Sequence, residues 1–322
     1  METLVVSAKA ILKQRENTLH IGIDGKIAIF PIEKIRHLIL LAEGTLTTKL
    51  LNLCGKYGVR VSIFDYYGYC KGCFEPLAGN PSGKVKLAQA KLLLNDGDRM
   101  SVARQIVHGA GHNMRANLLY YRYRGLAQVD QAIQAIGKIE NSLHTCVDTA
   151  SLMGKEGNMH QYYYGAWRHI NPALTLGKRV RRPPDNPVNC LLSFLNQMTY
   201  TVVKHEIAKT HLEQTFSFLH APSSSRASLS LDLAEPFKPV LVDGLIFRFA
   251  RKGSIKENWF RQHDRVCLLS ETGRRHVSEK FIRRLEKKWH GRSYREWIYR
   301  EAVNLERHVL GAAGYQPFQR RA

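Results

Sequence analysis

The spacing of apolar residues changes once along this chain, near residue 77, and the change restricts the folds available to it. Before that point the apolar residues form short β-rich runs at 4–6, 18–23, 26–30, 35–41 and 59–64. Asp24-Gly25 separates the second run from the third and is a two-residue hairpin signal. Only residues 47–57 show helical spacing, with Leu46, Leu50, Leu51 and Cys54 on one side. Residues 77–83, Leu-Ala-Gly-Asn-Pro-Ser-Gly, are turn formers and read as a linker. Beyond them the period is that of amphipathic helices, at 84–94, 101–123, 129–152, 158–170, 188–209, 229–250, 278–290 and 294–310. The expectation is therefore an α+β protein. A β-rich N-terminal domain over 1–76 and a linker over 77–83 precede a larger helical domain over 84–322.

Charge narrows the partners. The 322 residues carry 48 Lys+Arg against 27 Asp+Glu, a net charge of +21. Such an excess in a chain that is 44% hydrophobic excludes wholesale disorder and favours a polyanion partner. The imbalance is uneven. Residues 1–80 hold 10 basic and 7 acidic side chains, and the remainder hold 38 and 20. A phosphate-binding surface is thus expected on the second part. Its basic segments lie at Arg179–182, Arg248–252, Arg274-Arg275, Arg283-Arg284, Lys287-Lys288, Arg292 and Arg295. None has the form of a base-reading motif, so contacts to backbone and shape are expected.

The N-terminal Met-Glu-Thr-Leu-Val-Val lacks a basic segment leading into an apolar one, and no apolar run approaches the ~20 residues of a spanning helix. A cytoplasmic protein with reduced thiols is expected. Cys70-Lys-Gly-Cys73 has zinc-like spacing but no second pair, so a tight turn with two incidental thiols is the expectation.

The residues that suggest chemistry are His220, Asp232, Glu235 and Glu156. On a helix, Asp232 and Glu235 would share a face, among Leu229, Leu231, Leu233 and Phe237. Carboxylates in apolar surroundings are costly unless a cation compensates them. Pro236 and Pro239 interrupt a simple helix there. The polar loop at 221–226 is placed to fold His220 back over the carboxylates. An imidazole with carboxylates suits Mg²⁺ or Mn²⁺ better than zinc. Glu156, between Gly154 and Gly157, stands at the mouth of a predicted helix and offers a further carboxylate. Tyr162-Tyr-Tyr-Gly-Ala-Trp167 follows; the spacing of Tyr163, Ala166, Trp167 and Ile170 is that of core residues.

Four stretches together resemble a known family. They are Gly25-Lys-Ile-Ala-Ile-Phe-Pro-Ile-Glu-Lys-Ile35, the segment ending Gly58-Val-Arg-Val-Ser-Ile-Phe-Asp65, the Glu156-Gly helix with its Tyr and Trp residues, and Phe218-Leu-His220 with Asp232-Leu-Ala-Glu235, Pro239 and Val242-Asp243. In order and spacing they resemble the CRISPR-associated adaptation endonucleases, the spacer integrases of the Cas1 family. The resemblance runs from about residue 4 to Tyr315-Gln-Pro-Phe318.

The resemblance implies an N-terminal β-sandwich-like domain followed by an all-α catalytic domain. It implies a metal site of Glu156, His220 and Glu235, holding Mg²⁺ or Mn²⁺. Asp232 matches a further acidic position of the family site, either on the metal or behind it. It also implies a homodimer that assembles with a small ferredoxin-like CRISPR partner on double-stranded DNA, both prespacer and CRISPR repeat. Two other classes stay open: a basic DNA-binding scaffold without catalysis, and a general repair nuclease for branched DNA.

Overall fold

The computed structural model describes residues 2–77, 81–222 and 227–320. Part of the linker (78–80) and part of the loop after His220 (223–226) lie outside the described residues. The chain divides into two compact units. The first comprises Met1–Gly79, Pro183–Thr201 and Lys256–Arg283; the second comprises Asn80–Arg182, Val202–Ile255 and Arg284–Ala322.

In the first unit the β-rich runs form strands β1 (Glu2–Val6), β2 (Ala10–Arg15), β3 (Thr18–Ile23), β4 (Lys26–Pro31), β5 (Ile35–Leu40), β6 (Gly44–Leu46), β7 (Arg60–Phe64) and β8 (Cys70–Phe74). One sheet has the order β1-β5-β7-β8 and the other β4-β3-β2-β6. Residues of both sheets share one apolar core: Val6, Ile35, Leu38 and Val61 from the first, Leu12, Leu19 and Ile21 from the second. The arrangement is sandwich-like. Helix α1 (Thr48–Lys56) adds Leu50, Leu53 and Cys54 to that core, and Thr47 caps its first turn by accepting from Leu50 N.

The hairpin signal is realised in β3–β4. Asp24 (φ 46°) and Gly25 (φ 76°) both take left-handed backbone and pair Ile23 with Lys26. That turn matches the twist of the flanking strands. Cys70 and Cys73 do not form a tight turn. They lie in β8, antiparallel to β7, because hydrogen bonding along the β7 edge extends the segment. The only described group of side chains with metal-ligand spacing contains no cysteine.

The helices of the second part are α2 (Gly83–Leu94), α3 (Asp96–Arg122), α4 (Asp130–Asn141), α5 (Thr149–Ile170), α6 (Pro187–Ile207), α7 (Leu229–Ala234), α8 (Gly244–Arg251), α9 (Glu271–Leu285) and α10 (Tyr294–Val309). Two short hairpins were not evident in the sequence: β9 (Phe260–His263) with β10 (Val266–Leu269), and β11 (Lys288–Trp289) with β12 (Arg292–Ser293).

Three helical expectations are corrected. The predicted 129–152 helix ends at Asn141, and a new helix begins at Thr149. Asp148 and Ser151 form a reciprocal capping box at that start. Helix α5 therefore runs straight through Gly154 and Gly157, and Glu156 sits inside the helix rather than at its mouth. Burial of Leu152, Met159, Tyr163 and Trp167 on one face outweighs the glycines, each worth about 1 kcal/mol against a helix. The predicted 229–250 helix is broken by its prolines into α7, a π-helical stretch Pro239–Asp243 and α8. Asn113 and Asn117 of α3 donate to the carbonyls of Pro236 and Pro239, each at 2.7 Å, and Arg284 Nε donates to Val240 O at 2.7 Å. These side chains occupy carbonyls near the break, as buried polar backbone requires.

Candidate metal centre

All four sequence candidates lie in the second unit. Glu156 comes from α5, Asp232 from α7, and Glu235 follows directly at the C-terminal end of α7. His220 precedes the loop that leads to α7. One ligand atom from each of Glu156, His160 and Glu235 lies within 4.8 Å of the others. His160 is one turn beyond Glu156 on α5, and its Nε2 is 3.6 Å from Glu156 Oε1. Its ring stacks on Tyr164, with centroids 5.2 Å apart. Lys238, one turn beyond Glu235, places its ammonium 2.5 Å from Glu235 Oε2.

Two carboxylates brought this close in a buried setting cannot both ionise without compensation. Burial pushes the Glu235 carboxyl above its ordinary range; Glu156 adds to this, and Lys238, His220 and His160 only partly offset it. Glu156 goes the other way. Burial opposes its ionisation, but the hydrogen bond and charge of His160, with Lys238 and His220, bring its pKa to about 2. Asp243, on the π-helical stretch, is raised to about 7 by burial, against Lys238, Tyr163 and Arg179.

Asp232 does not belong to the close group. Its Oδ2 accepts from Phe218 N (2.6 Å) and Leu219 N (2.9 Å), and its Oδ1 accepts from His220 N (3.0 Å). The imidazole Nδ1 of His220 also lies 2.7 Å from Oδ1. Fully buried, Asp232 thus holds the His220 backbone and ring together and leaves Nε2 as the ring atom available for chemistry. His220 is outside the 4.8 Å group as well, but its charge is felt by both Glu156 and Glu235. Burial favours neutral His220; Asp232 first, then Glu235 and Glu156, raise its pKa above the ordinary value.

The donor set fits a hard divalent cation. Two carboxylates converge with imidazole nitrogen, and no thiolate is present in the group. Among the described residues His160 Nδ1 is buried without a hydrogen-bond partner, and Lys238 supplies the nearby positive charge. Sequence reasoning missed His160, Lys238 and Asp243. The signal for the first two was helical: i+4 from Glu156 and i+3 from Glu235.

The basic segments are not all surface. Arg274 and Arg295 are buried, and Arg295 pairs with Glu206 and Glu286. Arg181, Arg182, Arg248, Arg251, Lys252, Arg275, Arg283, Lys287, Lys288 and Arg292 remain exposed. Tyr163 and Trp167 are core residues, as their spacing predicted.

The family described as CRISPR associated protein Cas1 matches residues 3–283. The chain belongs to the Cas1 family. It is 35% identical over 316 residues to a CRISPR-associated endonuclease Cas1 of Fusobacterium nucleatum subsp. nucleatum, covering 96% of this chain and 93% of that protein. A solved Cas1 protein from Thermotoga maritima superposes with a TM-score of 0.87 at 28% identity, covering 100% of each chain. The architecture read above, β sheets followed by a mostly helical region, is the Cas1 architecture. The same fold occurs in a casposase solved bound to an integration product (TM-score 0.83, 18% identity, 99% of this chain and 94% of that one).

Proposed function

We propose that this protein is a divalent-metal-dependent DNA integrase that inserts new spacers into a CRISPR array. The 3′-hydroxyl of a prespacer end attacks a repeat phosphodiester; a new phosphodiester forms, and the displaced repeat strand leaves with its own 3′-hydroxyl. With water in place of the hydroxyl, the same centre would nick DNA. The observation that carries this reading is the convergence of half-buried Glu156 and buried Glu235 with imidazole, in a unit rich in exposed cations.

Glu156, Glu235 and imidazole would hold Mg²⁺ or Mn²⁺, with His220 the ligand implied by family resemblance and His160 the one nearest the carboxylates. The bound ion would orient the target phosphate and favour loss of the attacking hydroxyl's proton. Asp232 fixes the ring of His220 through Nδ1, so its Nε2 faces the reaction in one tautomer. Lys238 pairs with Glu235 and offsets part of the cost of its ionisation, a role a bound dication would take over. The exposed arginines and lysines hold DNA by its phosphates, with strong salt dependence. We assign the working form to a homodimer joined to a small ferredoxin-like CRISPR partner in the cytoplasm. Among the described residues no helix is long and apolar enough to cross a membrane.

The test combines the protein, its small CRISPR partner, a labelled 3′-hydroxyl prespacer duplex and a supercoiled plasmid bearing the repeat, with Mg²⁺, Mn²⁺ or EDTA. Label joined to plasmid by the wild type with metal, and by neither Glu156→Ala nor His220→Ala, is the expected result. Joining that survives both substitutions would overturn the reading. Firm DNA binding without joining or metal uptake would mark a scaffold. Cutting of branched DNA with no preference for repeat ends would mark a repair nuclease.

A further inference from the structure

The chain has four tryptophans. Trp167 and Trp259 are buried, as tryptophans in a globular protein commonly are. Trp289 and Trp297 are only part-buried and stand together at the β11–β12 hairpin and the first turn of α10. The hairpin turns on His290 (φ 47°) and Gly291 (φ 78°) and sets Trp289 opposite Arg292. The indole rings lie 5.5 Å apart, and Trp297 Nε1 donates to Trp289 O at 3.0 Å.

From behind, both rings rest on Phe318, at 5.6 and 5.7 Å. Phe318 in turn stacks on the buried Phe237, 4.6 Å away at 14°. Phe237 is two residues from Glu235, so one aromatic cluster reaches from beside the carboxylates to the protein surface. The guanidinium groups of Arg292 and Arg300 each lie 5.7 Å from the Trp297 ring centre. Both arginines are exposed, and so are Lys287 and Lys288. Glu296 and Glu286 are acidic neighbours; the first is occupied in capping α10 through Ser293 and the second in pairing with Arg295.

The indoles are thus fixed by the core and bonded at Trp297 Nε1, while the flat guanidinium groups of Arg292 and Arg300 border Trp297. Flat π surfaces interleaved with cations complement a strand whose flat bases alternate with phosphates. Away from its ends a duplex hides its base faces in the stack, so such a patch meets mainly its sugar–phosphate backbone. We propose that the Trp289–Trp297 patch, with Arg292 and Arg300, binds unpaired nucleotides of a DNA strand. Bases stack on the indoles and guanidinium planes, and phosphates sit on the flanking cations. The proposal deepens the DNA-integrase reading and rests on it for the choice of DNA.

The test uses the full chain in EDTA, with an oligothymidylate of about 12 nucleotides and a blunt duplex of similar length. Because Trp167 and Trp259 are buried, quenching of tryptophan emission by the oligonucleotide reports on Trp289 and Trp297. The expected result is quenching in the wild type. With labelled DNA, single-strand affinity should fall about tenfold or more in Trp297→Leu and Trp289→Leu and recover largely in Trp297→Phe, with duplex affinity unchanged. Circular dichroism establishes that each variant is folded; should either leucine variant not fold, Arg300→Ala and Trp297→Phe compared on both DNAs carry the same test. Equal affinities of folded variants and wild type for the single strand would overturn the proposal. So would equal losses on single strand and duplex, which would mark a general phosphate surface. Stacking that persists while integration fails would sink the integrase reading and leave this site standing.

Discussion

His220 Nδ1 and Asp232 Oδ1 lie 2.7 Å apart, and the same carboxylate also accepts the backbone N–H groups of residues 218, 219 and 220. Every one of these contacts asks Asp232 to accept. Asp232→Asn would turn an N–H₂ toward at least one donor. The expected loss is on the order of 2 kcal/mol in urea unfolding, with strand transfer falling with it. Asp232→Glu, which keeps the charge but overfills a fully buried site, should also destabilise.

The raised pKa values of His220 and Glu235 set a pH dependence for metal uptake. Both groups hold a proton in the metal-free protein to higher pH than usual. Ligation by the two, as proposed, requires both to be deprotonated. Mn²⁺ affinity should therefore rise with pH as the two groups lose their protons, with proton release on binding measurable by calorimetry in two buffers. The His220–Asp232 pair contributes stability at pH below the ordinary histidine value and loses it as pH rises through the higher folded value.

Glu235→Gln separates function from stability. The variant removes a buried like charge beside Glu156, and the native state already disfavours the ionised form of Glu235. Because the ionised form is already disfavoured, the metal-free protein should lose no stability despite the lost Lys238 pair, while metal-dependent joining is lost. Thermal unfolding in EDTA and the joining assay read the two effects.

Glu301 gives an independent pH signature away from the metal centre. Burial raises its carboxyl to about 8, although Tyr315 Oη (2.6 Å) and Phe318 N (2.9 Å) both donate to it. The folded protein keeps a proton that the unfolded chain releases, so stability falls as pH rises from the unfolded value of 4.5 through about 8. Glu301→Gln should flatten that part of the profile. The difference between variant and wild type should grow by up to about 5 kcal/mol from acid to alkaline pH in urea unfolding.

Gly154 and Gly157 are exposed, and a Cβ added at either meets no atom within 4 Å. Gly157→Ala should stabilise the protein by about 0.5–1 kcal/mol. If strand transfer falls in that stabilised variant, the open space beside Glu156 is occupied by DNA during the reaction; unchanged transfer would leave the glycine without a role in the site.

The change of apolar period at residue 77 determined the order of sheet and helix, and Asp24-Gly25 determined a hairpin, because both are local consequences of backbone geometry. Glu156, His220, Asp232 and Glu235 were legible as candidates because carboxylates among apolar residues are costly without a cation. Tertiary structure decided their relations. Capping by Asp148 and burial of Tyr163 and Trp167 carried α5 through two glycines and put His160 beside Glu156. Pro236 and Pro239 ended α7 where side chains of α3 donate to the carbonyls at the break, so Asp232 and Glu235, three residues apart, serve different partners. The i+4 and i+3 neighbours His160 and Lys238 were legible once the helices were known. The convergence of Glu156 on α5 with Glu235 after α7, and of Asp232 with the backbone of 218–220, depends on distances between segments, which residue spacing along one segment does not record.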